Sequence, residues 1–219
     1  TVGGIGSTIR DARRLKEVAT VLARHGLGHF VADAVPGLNN TVQFESTPEM
    51  TVSALQALGP TFVKFGQILS TRSDLLPEEY ILALQSLQDE VSEVEISAVH
   101  ALLTEELGND WSTLFEHFDP TPMATGSIAQ VHSAKLHSGE TVVLKIRRPG
   151  IRRTITADLS ILELLIQRLL IEFPELKLFD PSGMFDEFKR SLISELDFTV
   201  ESRNLLRFAH NFAAVPGVE

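Results

Sequence analysis

An α+β fold, with a helical N-terminal part packed on a small antiparallel sheet, is predicted by three features of the 219-residue sequence. Apolar residues recur at helical spacing on both sides of the middle. Two β-type runs, "IAQVHSAKL" and "ETVVLKI", stand between them, and "HSG" joins those runs as a hairpin turn built around Gly139. The resulting layout is a helical region over about 1–115 and an α+β region over about 116–219.

The elements follow from local chemistry. Helical periodicity runs from about Thr8 to Ala34, and "VPGLNNTVQFESTPEM" then reads as a loop. Thr47-Pro48-Glu49 reads as a helix start, with proline in the first turn and an acid at the positive end of the dipole. Leu55, Leu58, Phe62, Phe65 and Leu69 alternate steps of three and four, which places them on one buried face, and Gly59-Pro60 breaks or kinks that run. A helix restarts at Pro77, and "SAVHALLTEELG" forms another that Gly108 ends. Pro120 and Pro122 mark a boundary. After the hairpin, "ADLSILELLIQRLLIEF", "SGMFDEFKRSLISEL" (capped by Ser182) and "DFTVESRNLLRFAHNF" have helical spacing. "AAVPGVE" reads as the start of a new extended segment.

Composition narrows the function classes. A net charge of −10 argues against a general affinity for nucleic acid. "RDARRLK" and "KIRRPGIRR" are local basic clusters, open to two readings: a solvated face, or contact with an anionic ligand or lipid surface. The absence of cysteine excludes disulfides and thiolate metal sites, and the histidines form no H-E-x-x-H frame. In the apolar stretch "LSILELLIQRLLIEF", Glu163, Gln167, Arg168 and Glu172 fall too close together for a membrane span. No signal peptide is visible.

The chemistry concentrates at 124–145. The kinase glycine-loop pattern G-x-G-x-x-G-x-V falls on Ala124, Gly126, Ala129 and Val131, with alanine at two of the three glycine positions. The pattern leads into a strand, a hairpin follows, and the next strand ends in "VVLK". Lys145 thus stands where a kinase keeps the lysine that orients the α- and β-phosphates. Such a lysine needs a carboxylate on a helix packed behind it. Glu201, on "DFTVESRNLLRF", is the expected partner; Asp197 shares its face, whereas Glu195 points elsewhere unless a helix begins between Glu195 and Asp197.

Taken together, "LGPTFVKFGQILSTRSDLLPEEY", "ATGSIAQVH", "VVLKIRRPG" and "SELDFTVESRN" resemble, in order, the motifs of the UbiB family of atypical protein-kinase-like proteins, from about Leu15 to the C-terminus. The resemblance implies a kinase-like small lobe with inserted helices and an αC-type helix. It places the K-x-G-Q motif on Lys64, Gly66 and Gln67 and the E-x-D motif on Glu195 and Asp197, with the K-x-G-Q helix lying across the position of a kinase's protein substrate. Lys64 and Gln67 are three residues apart on one helical face, so Lys64 is able to pair with Glu195; a surface lysine and glutamine is the plainer alternative. It further implies ATP or ADP held by Ala124, Thr125, Gly126, Ser127, Val131 and Lys145, with Mg2+ ligands and a catalytic loop expected beyond residue 219, so that this chain alone turns over ATP poorly.

The implied role is an atypical kinase or ATPase serving ubiquinone or another isoprenoid-quinone pathway. Expected partners are adenine nucleotide, and membrane lipid or quinone-biosynthesis proteins. The expected location is cytoplasmic or peripheral on the cytoplasmic face of a bacterial membrane, or mitochondrial or plastid in a eukaryote. The alternative is a non-catalytic lipid- or partner-binding module with a nucleotide-sensing lobe, motivated by the amphipathic stretches at 8–34 and 155–173. The family loop is usually A-x-A-S or A-A-A-S, so Gly126 is expected to free the backbone for positive φ and tighten it on phosphate, favouring ATP over ADP. Arg72 and Asp74 read equally as a helix-end ion pair or as site residues. Arg147 and Arg148 read as a solvated rim or as contacts to anionic lipid or phosphate. Trp111 and Phe115 are expected to pack the junction of the two regions.

Overall fold

The computed structural model describes residues 2–28, 46–88 and 91–213 with Val215 and Gly217, and side chains from residue 12 onward. Its elements are α1 (Val2–Arg24), α2 (Pro48–Leu58), α3 (Pro60–Leu69), α4 (Glu78–Leu84), α5 (Ile96–Leu107), β1 (Phe115–Thr125), β2 (Ala129–Leu136), β3 (Thr141–Arg147), α6 (Ile151–Glu172), α7 (Pro181–Glu195) and α8 (Phe198–Phe212). Short 3-10 turns at Trp111–Leu114 and Pro174–Phe179 precede β1 and α7. The α+β class holds. The stretches assigned above to a helix at 29–34 and to a loop at 35–45 lie outside the described residues, as does most of "AAVPGVE".

Side chains cap the starts of α2, α7 and α8. The Thr47 hydroxyl accepts the Met50 N–H at 3.3 Å, and Pro48 opens α2, where its missing N–H costs nothing. Gly59 then serves both helices. Its N–H donates to the Leu55 and Gln56 carbonyls, and its own carbonyl accepts from Phe62 and Val63. Its φ of 100° and ψ of −172° are open essentially to glycine alone. The cap of α7 is Asp180, whose carboxylate accepts the Gly183 N–H at 3.1 Å; this replaces the expected Ser182, because Pro181 takes the first helical position.

The sheet has the order β1-β2-β3, antiparallel throughout. β1 is the element the prolines obscured. Pro120 and Pro122 cannot donate to a ladder, yet β1 is an edge strand whose pairing with β2 skips Pro120 and shifts register on either side of Pro122, an irregular edge that tolerates proline. The β2–β3 hairpin is regular, and Gly139 at φ 92° forms its turn.

One large core joins both regions of the chain. Val18, Ala19 and Leu22 of α1, Leu58, Phe62 and Phe65 of α2 and α3, and the inner faces of α6 and α7 bury together with Ile128. A smaller cluster of Val63, Leu84 and Leu87 fixes α4 against the opposite side of α3. Trp111 packs edge-on against Phe118 and beside His100, tying α5 to β1. α3 is therefore held from two sides, and α7 runs beside it. Among the described residues no helix is long and apolar enough to cross a membrane.

Candidate functional site

Antiparallel pairing sets Val131 opposite Lys145, so both side chains share one face of the hairpin. The face looks toward α8, whose first turn carries Glu201. Lys145 Nζ lies 2.6 Å from Glu201 Oε2 and 4.9 Å from the centre of the Phe198 ring. Both side chains of this ion pair are more than two-fifths exposed, so it contributes little to stability. Its consequence is positional, an ammonium held in the lining of an open cleft.

That cleft has a volume of about 890 Å³, within the range of small-molecule sites. The turn Ala124–Ala129 forms one wall, while Glu195, Asp197, Phe198, Glu201, Leu205 and Phe208 form the other. Ser191 and Glu195 also line a second cleft of about 260 Å³ between α3 and α7, with Lys64, Gln67, Ile68 and Thr71. The two clefts thus adjoin at Ser191 and Glu195.

The α7–α8 junction sorts the two acids of the E-x-D motif. α7 ends at Glu195 and α8 begins after Asp197, so a helix boundary falls between them. Glu195 Oε2 accepts from Lys64 Nζ at 3.3 Å across the inter-helix cleft. Asp197 caps α8, accepting the Thr199 N–H at 3.0 Å and the Thr199 hydroxyl at 2.6 Å; these bonds hold its carboxyl below the usual aspartate range.

The K-x-G-Q helix gives each motif residue a different neighbour. A Cβ on Gly66 would lie 2.6 Å from Leu87 Cδ1 and 2.7 Å from Leu55 Cδ1, so glycine lets the neighbouring helices close on α3. Gln67 lines the smaller cleft and donates through Nε2 to the Leu87 carbonyl at 3.1 Å. Arg72 grips Asp74 through two bonds of 2.8 and 2.7 Å and donates to the Phe179 carbonyl at 3.0 Å, a helix-end clasp that lines neither cleft.

Two expectations for the loop need correction. Gly126 does not occupy positive φ, and a Cβ there would sit an ordinary 3.4 Å from the Ala129 carbonyl oxygen. Its N–H donates to that same carbonyl at 2.9 Å, so the argument for an ATP preference loses its physical basis. Arg147 and Arg148 form no solvated rim: Arg147 donates to the Leu196 carbonyl at 3.0 Å, and Arg148 to the Gly126 and Ser92 carbonyls at 2.8 and 2.7 Å. Burial pulls the Arg148 guanidinium below its ordinary range.

Sequence reasoning also missed Gln130 and His132, which are buried within β2. Gln130 Oε1 accepts the Val94 N–H at 2.8 Å and its Nε2 donates to His132 Nε2 at 2.9 Å, leaving His132 Nδ1–H to donate to the Asp119 carbonyl. Gln130 and His132 at alternate positions of the central strand, on one face with Ala134, were the available signal.

The cleft residues fit a nucleotide. Lys145 offers a cation for phosphate, and Val131, Phe198, Leu205 and Phe208 offer apolar surface for a ring. They do not by themselves fit a divalent cation. Glu195, Asp197 and Glu201 are each engaged as described, and among the described residues no three His, Cys, Asp or Glu side chains converge.

The family described as the ABC1 atypical kinase-like domain matches residues 86–219. An uncharacterized protein encoded in the hydrogenase 1 5' region of Clostridium pasteurianum is 43% identical over 195 residues, covering 89% of this chain and 36% of that protein. Proteins named "Probable protein kinase UbiB" from Pseudomonas fluorescens (Pf0-1) and Vibrio cholerae (M66-2) are 40% and 41% identical, over 74% and 73% of this chain and 30% and 29% of theirs. The chain thus spans roughly a third of the length of these curated relatives. Among solved structures, the complex of Rv3197 with erythromycin from Mycobacterium tuberculosis is 32% identical, with a TM-score of 0.46 over 74% of this chain and 41% of that one.

Proposed function

From the premise that the chain belongs to the ABC1 atypical kinase-like family, whose relatives include proteins named UbiB, we propose that the larger cleft binds adenine nucleotide as part of an atypical kinase or ATPase. The observation that carries this reading is the 2.6 Å Lys145–Glu201 contact lining a cleft walled by the Ala124–Ala129 turn. A free lysine on an edge strand samples many rotamers. One fixed by a carboxylate from a facing helix presents its charge at a constant place, which is the preorganisation that phosphate binding and phosphoryl transfer need. Bound nucleotide would supply the transferable phosphoryl group. The residues of this chain hold and orient it.

Lys64 and Glu195 have a second role in this reading. Their pair bridges α3 and α7 where the two clefts meet, so a bulky acceptor such as a folded protein segment that enters from the smaller cleft must displace it. That favours a small or slender acceptor over a protein substrate, and is compatible with service to an isoprenoid-quinone pathway, as the motif resemblance implies.

The test is calorimetric titration of the full-length protein carrying this chain with ADP and ATP in magnesium buffer. Wild type should bind, and Lys145→Ala should weaken binding at least tenfold. Glu201→Gln, which keeps the shape but removes the charge that fixes the lysine, should fall between the two. Absence of binding by wild type, or equal binding by Lys145→Ala, would overturn the proposal.

A further inference from the structure

The turn at the nucleotide cleft is not free-standing. Its Gly126 carbonyl accepts from Arg148 Nε at 2.8 Å, and the other arm of the same guanidinium donates to the Ser92 carbonyl, on the segment between α4 and α5, at 2.7 Å. The Arg148 backbone N–H donates in turn to the Ile128 carbonyl at 2.9 Å. Two residues past Ser92, the Val94 N–H donates to Gln130 Oε1, and Gln130 is wholly buried at the foot of the same turn. The segment 91–95 and the turn 124–129 therefore share both a planar cation and a buried amide. The segment follows Leu87, whose carbonyl is held by Gln67 of the K-x-G-Q helix.

We infer that Arg148 is a positioning residue that straps the cleft turn to the α4–α5 segment, so that ligand occupancy at the turn is communicated to the helices around Gln67. The guanidinium suits the task because its planar fork satisfies two carbonyls at once, whereas a lysine ammonium is a single charge on a flexible stem. Each carbonyl loses a charge-assisted bond if the turn moves away alone, so the two segments move together or lose that bonding. Spatial continuity by itself does not establish coupling; a segment whose protection responds to the other end does. The part of the inference that concerns ligand occupancy rests on the nucleotide reading of the cleft, while the strap itself does not.

Amide hydrogen exchange on the full-length protein separates the two. Without nucleotide, Arg148→Gln should accelerate exchange about tenfold in both 91–95 and 124–129 and leave the core amides of α6 unchanged, whereas Lys145→Ala should leave 91–95 unchanged. With ADP added to saturation, wild type should gain protection at Val94, and Arg148→Gln should not, even where it still binds. Arg148→Lys, the milder variant should the glutamine fail to fold, should lose most of that response. Acceleration in one segment only, a uniform rise that includes α6, or a Val94 response equal to wild type would overturn the inference. Failure of wild type to bind nucleotide would overturn the proposed function, and the nucleotide-free comparison would still decide the strap.

Discussion

Gly66 shows how a single missing side chain organises the centre of the molecule. In a helix interior, alanine for glycine ordinarily gains about 0.5–1 kcal/mol. Here the new Cβ would press on the δ-methyls of Leu55 and Leu87, at 2.7 and 2.6 Å, the second of them buried. Overpacking of this kind costs about 1–3 kcal/mol. Gly66→Ala should therefore leave the protein no more stable, and Gly66→Val, with two further methyls and weaker helix propensity, should destabilise it by about 2–3 kcal/mol. Denaturant unfolding measures both. If both variants unfold at the wild-type midpoint, Leu55 and Leu87 have other rotamers available and the glycine is not what lets α2 and α4 close on α3. The same helix explains why Gln67 was only partly legible in the sequence. Its spacing from Lys64 put the two on one helical face, but its bond to the Leu87 carbonyl depends on the chain after α4 folding back, which no local pattern announces.

At the scale of elements, α8 is the piece the site depends on and the piece with the least support. It packs on α7 and meets Lys145 of β3 through its first residues, and Leu205, Leu206 and Phe208 are exposed along it. Its N-terminus is held by Asp197 through the two bonds to Thr199, and Glu201 sits one turn on. Because those bonds lower the folded-state pKa of Asp197, its contribution is fully present above the ordinary aspartate value and is lost as pH falls through the depressed one. The Thr199 amide resonance should thus titrate with a midpoint below that of a free aspartate, and first-turn protection of α8 should fall across the same window. Asp197→Asn, which keeps an acceptor without the proton, should flatten the profile; a midpoint at the ordinary value would mean the cap is not made in solution. The elements legible in the sequence were those with a local signature: the Thr47-Pro48 start, the Gly59-Pro60 break and the Gly139 hairpin. β1 was not, because prolines argue against a strand unless the strand is known to lie at an edge with shifted register, and edge position is a property of the whole sheet. Lys145 and Glu201 were legible because the strand–turn–strand interval and the helical face of Glu201 are local, whereas Arg148, Gln130 and His132 act through carbonyls and amides contributed by distant segments.

Across the whole molecule the question is what keeps the N-terminal helices in register with the cleft. The Lys64–Glu195 pair spans the gap directly, but at 3.3 Å with the glutamate side chain 47% exposed it is too weak to align two packed bodies. Arg14 is better placed. Its Nε donates to Asp158 Oδ1 on α6 at 2.7 Å, its Nη2 donates to the Leu58 carbonyl at the end of α2 at 2.6 Å, and the Asp158 side chain is only 2% exposed. Burial pushes the Asp158 carboxyl up, and the Arg14 guanidinium pulls it back toward the ionised form. Removing one member of a buried pair strands the other, at a cost of about 3–5 kcal/mol, whereas replacing both by apolar groups of similar size is often neutral. Arg14→Met should accordingly destabilise by several kcal/mol, about 3 or more, Lys64→Ala by less than about 1 kcal/mol, and Arg14→Met with Asp158→Leu should recover most of the loss, all read by chemical denaturation. The double variant then carries the functional question. If it is stable and binds nucleotide as wild type does, the hydrophobic core alone aligns α3 with α7, and the buried charges add only stability-neutral specificity. If it is stable but the Lys64–Glu195 contact no longer forms, as a double-mutant cycle between those two positions would reveal by a coupling energy near zero, the geometry of the cleft mouth is set from α1, far from the residues that line it.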